Sequence, residues 1–213
     1  MAWRFRSGVK SAAVGRDLVL LDLDADTYAC IPNAGVSDAA FATDLDQLDD
    51  DVLSVLRDAG LIERRRTASA QMALPSVAIQ DLGALHLTKA VDVPVLINTG
   101  RAALTLRRAG ADPSLSELVA CATSRRPVRS DADAAIRQAV ALDRLLPWLP
   151  GRRECLQRSA LLVRLLADQG LGADWVFGVR TWPFRAHCWV QIDGVCLNDD
   201  AERLRPYTPI YST

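Results

Sequence analysis

The chain has 213 residues, half of them hydrophobic and 24% charged, with a net charge of -1 and a pI near 6.1. That is an ordinary soluble globular balance, and nothing in it asks for nucleic acid. The length allows one large domain or two small ones, and no stretch approaches the roughly 18 uncharged apolar residues of a membrane span.

Residues 1–8 break their apolar side chains with Arg4 and Arg6, so no secretory core is formed and a cytoplasmic location is expected. Cys30, Cys121, Cys155, Cys188 and Cys196 make an odd set without a CxxC pair. Neither a disulfide framework nor a zinc knuckle is indicated.

In chain order, Ala12 to Ile31 reads as a hairpin, with a polar Asp24-Ala25-Asp26 turn before the run Thr27 to Ile31. Val36 to Thr43 can form a short helix. From Asp46 to Ala59 the apolar Leu48, Val52, Leu53, Val55 and Leu56 recur at helical spacing, and Gly60 supplies the stop before a short run, Leu61 to Arg64. Strands, helix and a short basic edge predict a small winged-helix-like unit. Such units raise the question of DNA, but Asp46, Asp49, Asp50, Asp51 and Asp58 against a lone Arg57 would repel phosphate.

Small and polar residues after Arg66 read as a linker, which predicts domains over 1–66 and 82–213 with 67–81 between them. Helical patterns follow near Val95 to Arg108, Leu115 to Ala122 and Asp131 to Leu146, with Pro147 and Pro150 closing the last. Cys155 to Ala167 is a strongly apolar helix ended by Gly170. Strands Trp175 to Val179, Ala186 to Ile192 and Val195 to Leu197 follow, the last two joined at Asp193-Gly194. The whole order is α+β.

The chemistry centres on Cys155. A thiol attacks a carbonyl as thiolate, which needs a depressed pKa, and a helix start with a nearby imidazole supplies one. Cys155 follows a Pro150-Gly151-Arg152-Arg153 breaker, so the helix dipole and one of these arginines would lie near its sulfur. His187, one of only two histidines, lies on a downstream strand and shares a face with Trp189 and Gln191, while Cys188 turns to the core side. Asn198, Asp199 and Asp200 are candidates to orient the imidazole. A two-residue loop at Asp193-Gly194 would set His187 opposite Asp200, and a bulge or three-residue loop would bring Asp199 to it. The pattern leaves both open.

Cys155-Leu-Gln-Arg-Ser159, Ala186-His-Cys-Trp-Val190 and Asp193-Gly-Val-Cys-Leu-Asn-Asp199 resemble the transglutaminase-like, papain-like cysteine peptidases of lasso-peptide biosynthesis, over roughly Leu82 to Thr213. The resemblance implies a catalytic Cys155, His187 and Asp199, with Asp200 as the alternative carboxylate. It also implies that the N-terminal unit is a precursor-recognition element, similar to the small pyrroloquinoline-quinone biosynthesis chaperone, on which a leader peptide adds as a strand. The matching positions are Thr27, Tyr28, Ala29, Cys30 and Ile31, with Leu53 and Leu56 on the helix. The implied partners are a lasso precursor peptide and an asparagine-synthetase-like, ATP-dependent cyclase.

The chain itself has no GxxxxGK[ST] loop and no HExxH, so neither ATP, another cofactor nor a metal is expected here. The same triad also fits acyl transfer, as in arylamine acetyltransferases and transglutaminases, and a catalytically dead peptide-binding adaptor is the reading from another class.

Overall fold

In the computed structural model of the chain, residues 2–35, 45, 48–65, 74–85, 93–110, 112–125, 127–149 and 154–213 are described. Contacts group these into two units. One comprises Met1–Leu74, Gly178–Ala186 and Thr208–Tyr211, and the other Pro75–Phe177, His187–Tyr207 and Ser212–Thr213.

In the first unit β1 (Ala2–Phe5) leads into β2 (Val9–Val14), β3 (Asp17–Asp22) and β4 (Thr27–Ile31), the last three forming an antiparallel sheet with β3 central. A two-residue loop joins β2 to β3, and Gly15 takes it at a φ of 63°, where a side chain would be strained. At the next turn Asp22 Oδ1 accepts the backbone N–H groups of Asp24 and Ala25, which is the local reason for an Asp-rich corner. Helix α1 (Asp50–Asp58) lays Leu56 into a core with Leu18, Leu20 and Ile62. Gly60, at φ 68°, ends it as the sequence predicts: its N–H reaches Arg57 O and that of Leu61 reaches Leu56 O. β5 (Ile62–Arg65) then pairs antiparallel with β1, Phe5 opposite Ile62. The expected helix over Val36 to Thr43 lies outside the described residues, as do Asp46 and Arg152 and Arg153.

In the second unit a short strand β6 (Gln80–Asp81) precedes α2 (Val93–Arg107), α3 (Leu115–Ala122), α4 (Ala132–Leu145) and α5 (Cys155–Asp168). α3 opens on a capping box, with Ser114 and Glu117 each bonding the other's backbone N–H, and α4 opens on Asp131, which accepts from Ala134 N–H. α5 packs against α2, α3 and α4 and buries most of its length, including Leu162, Leu165 and Leu166. Its one buried cation, Arg164, is held by Asp168 at 2.6 Å, Ser124 Oγ at 2.6 Å and Cys121 O at 3.2 Å.

The strands β7 (Asp174–Arg180), β8 (Arg185–Ile192), β9 (Val195–Cys196) and β10 (Thr208–Ser212), with β6, form one sheet in the order β10-β7-β8-β9-β6. Asp193 and Gly194, at φ 49° and 79°, make the two-residue hairpin expected of Asp-Gly, and Ile192 faces Val195. A four-residue helix α6 (Ala201–Leu204) sits between β9 and β10.

The division between the units falls within the expected linker over 67–81, and its last residues are ordered against the second unit. Residues 66–73 are outside the described set, Leu74 groups with the first unit, and the second unit begins at Pro75. The cause is buried Gln191, whose Nε2 donates to Ser76 O at 2.7 Å and whose Oε1 accepts from Ala78 N–H and Trp189 Nε1. Val77 and Ala78 then pack with Trp189, Val176 and Leu204, and β6 pairs parallel with β9. A small, weakly patterned run is thus recruited by one amide far along the chain.

Candidate active site

Cys155 is the first residue of α5, after Glu154 in extended conformation at φ -69° and ψ 154°. Its half-buried sulfur therefore sits at the positive end of a 14-residue helix. β8 delivers His187, and the segment after β9 delivers Asp199. His187 Nε2 lies 2.6 Å from Asp199 Oδ2, with only 17% and 13% of the two side chains exposed. With Nε2 so engaged, Nδ1 is the ring nitrogen left for Cys155, which hydrogen-bonds to the imidazole. Trp189 and Tyr207 flank the ring, with centroids at 6.4 and 5.5 Å.

The choice between Asp199 and Asp200 turns on where β9 stops. The hairpin is the two-residue form, which on a continued ladder would set Asp200 opposite His187. The ladder ends instead at Cys196 and Leu197, and Asn198 Oδ1 takes the Val190 N–H at 2.8 Å in place of a backbone carbonyl. The chain turns away there, Asp199 swings onto His187, and Asp200 caps α6 by accepting the Glu202 N–H. Asn198, the third candidate, points to Ser159 and Val190 rather than to the imidazole.

Electrostatics follow from these contacts. The Cys188 thiol, the His187 imidazole and the Cys188 backbone N–H all bond to the Cys155 sulfur, and they outweigh burial to hold its pKa at about 4. His187 is raised to about 9, chiefly by its bond to Asp199 and then by that to Cys155, against the effect of burial. Burial alone would raise Asp199, yet the bond from His187, the Asp200 N–H and the charges of His187 and Arg203 keep it below the usual carboxylate range. Between pH 4 and 9 the site is consequently a thiolate and imidazolium pair.

Cys188 is in the core, as its strand parity predicts, but its contact with Cys155 is not legible from that parity. Bonding to Cys155 and burial push its own pKa well above the usual thiol value, so it stays a thiol. A cavity of about 320 Å³ opens beside Asp199 and Asp200, with Asp81 and Asp143 also on its wall.

Of the residues expected to meet a peptide in the first unit, Thr27 to Ile31 form β4, which lies at the margin of its sheet with Thr27 and Ala29 exposed and Tyr28, Cys30 and Ile31 half-buried. Leu53 is partly buried against the core. Leu56 is 0% exposed and is a core residue, which corrects its assignment as a contact: its position on the helix faces inward.

Residues 99–212 match the transglutaminase-like superfamily, and the chain belongs to it. The Microcin J25-processing protein McjB of Escherichia coli is 42% identical over 48 residues, a stretch that covers 22% of this chain and 23% of that relative. No solved structure matches the chain.

Proposed function

We propose that the protein is a cysteine peptidase that removes the leader from a lasso-peptide precursor, with Cys155 as nucleophile, His187 as acid and base, and Asp199 as the group that orients the imidazole. The observation that carries this reading is the bonded series of Cys155 at a helix start, His187, and Asp199 at 2.6 Å. A relative named for the processing of a microcin supports the substrate class.

In this mechanism the Cys155 thiolate attacks the carbonyl carbon of the last leader residue. The oxyanion that forms is met by the Cys155 backbone N–H at the helix start, among its donors. The proton on Nδ1 of His187 passes to the departing amine as the C–N bond breaks, leaving the leader as a thioester. Neutral His187 then takes a proton from water, whose oxygen attacks the thioester, and the leader departs as a carboxylate with the thiolate restored.

The released core amine is the nucleophile a macrolactam requires, so the product suits an ATP-dependent, asparagine-synthetase-like cyclase as partner. Leader recognition is assigned to the first unit, through strand addition along Thr27 to Ile31 with Leu53 adjoining. A candidate precursor incubated with wild-type, Cys155→Ala and His187→Ala protein, with and without the cyclase, tests the reading by mass spectrometry. Only wild type should release the leader, and release by Cys155→Ala would transfer the role to binding.

A further inference from the structure

Cys155, His187 and Asp199 come from three chain segments, so something must fix their spacing to within a fraction of an ångström if proton transfer is to be efficient. The residue placed to do so is Asn198. Its Oδ1 accepts the Val190 N–H at 2.8 Å, three residues along β8 from His187. Its Nδ2 donates to Ser159 Oγ at 2.8 Å, one helical turn along α5 from Cys155. Its backbone carries Asp199 as the next residue, and its carbonyl accepts from Arg158 Nη2 at 3.4 Å.

Ser159 completes the link. Its side chain is fully buried, its hydroxyl donates to Cys188 O at 3.4 Å, and the Cys188 sulfur lies 3.8 Å from Ser159 Oγ. One amide and one hydroxyl therefore tie the helix that carries the nucleophile to the strand that carries the base. Neither side chain is bonded to the Cys155 sulfur or to the His187 ring. Their polarity needs another explanation, because setting a fully buried serine against a half-buried asparagine amide between a helix and a sheet costs free energy that an apolar pair would not.

We infer that Asn198 and Ser159 are positioning residues, whose mutual hydrogen bond sets the separation of Cys155 from His187 and Cys188. The inference rests on the peptidase reading of Cys155. Losing the bond frees the first turn of α5 to shift against β8, which lengthens the contacts that stabilise the thiolate. The thiolate then forms at higher pH, and proton transfer from His187 slows without any change in groups that bind a peptide.

The test is the rate of Cys155 alkylation by iodoacetamide across pH, read by peptide mass spectrometry in the full chain, alongside kcat and KM for leader release. Asn198→Ala and Ser159→Ala should each move the alkylation midpoint up by about one pH unit or more and lower kcat by roughly tenfold to a hundredfold, with KM within about twofold. The double variant should fall short of the sum of the two single effects, because the singles share the loss of one bond. Ser159→Thr, which keeps the hydroxyl, should stay near wild type.

If Asn198→Ala does not fold, Ser159→Ala removes the same bond from its other end without adding a charge, and the same midpoint shift is expected. Folded variants with the wild-type midpoint and kcat would overturn the positioning role alone. A wild-type Cys155 that alkylates like an ordinary thiol would instead sink the peptidase reading, and the positioning role with it.

Discussion

Asp199 Oδ2 sits 2.6 Å from His187 Nε2, and this one contact decides how the rest of the site is used. It fixes the tautomer, reserves Nδ1 for Cys155 and gives the imidazolium a buried counter-charge. Asp199→Asn keeps the shape and removes the charge. Leader release should fall by about a hundredfold or more, and the alkaline limb of the rate should move down in pH because His187 loses the main cause of its raised pKa. Asp200→Asn should change the rate by less than about threefold, since asparagine still caps α6. Equal losses in the two variants would mean that the carboxylates are interchangeable.

The pH profile has a defined sign on each side. The thiolate is lost as pH falls through about 4, and the imidazolium proton is lost as pH rises through about 9. kcat/KM should therefore be flat across the neutral range and decline at both ends. Stopped assays of leader release in buffers of matched ionic strength check this. An acid limb at neutral pH, where an unassisted imidazole titrates, would be inconsistent with the preformed ion pair.

Selective labelling offers a second view of the same pair. At pH 6 a stoichiometric thiol reagent should modify Cys155 ahead of Cys30, Cys188 and Cys196, whose pKa values burial and neighbouring groups all raise. His187→Ala removes a cation that favours the thiolate, so the Cys155 midpoint should rise by more than about one pH unit. Peptide mapping of the labelled protein reads both.

The buried cation on α5 makes a stability prediction away from the site. Arg164 and Asp168 are 2.6 Å apart with 7% and 18% of their side chains exposed. Asp168→Ala leaves the guanidinium without its carboxylate and should cost about 3 kcal/mol of folding stability, measured by urea denaturation. Arg125, at 3.3 Å from the same carboxylate but largely exposed, should contribute little when changed to Ala.

Much of this was legible in the residues, and the exceptions share a cause. Gly60, the Asp193-Gly194 turn and the apolar period of α5 are local signals, and the structure follows them. Leu56 carried the same periodicity whether it faced a ligand or the core, so spacing could not separate the two. Residues 75–81 read as a linker because their ordering comes from Gln191, more than a hundred positions away. β10 and the pairing of β1 with β5 are equally non-local.

The preference for Asp199 depended on a side chain ending a ladder, which hairpin counting does not include. The Asp200-Ala-Glu202 sequence did hold a signal, that of a helix cap, which would have removed Asp200 from the competition. Ser159, four residues after Cys155 on the same helix face, was a further visible pointer to what lies behind Cys155.

The most direct test of the central claim is cleavage of a purified precursor in water enriched in oxygen-18, with wild-type and Cys155→Ala protein compared by mass spectrometry. Wild type should yield a leader carrying one heavy oxygen in its new carboxylate and an unlabelled core with a free amine, and Cys155→Ala should yield neither product. Cleavage by Cys155→Ala, or a leader transferred to another acceptor without gaining the label, would contradict the account.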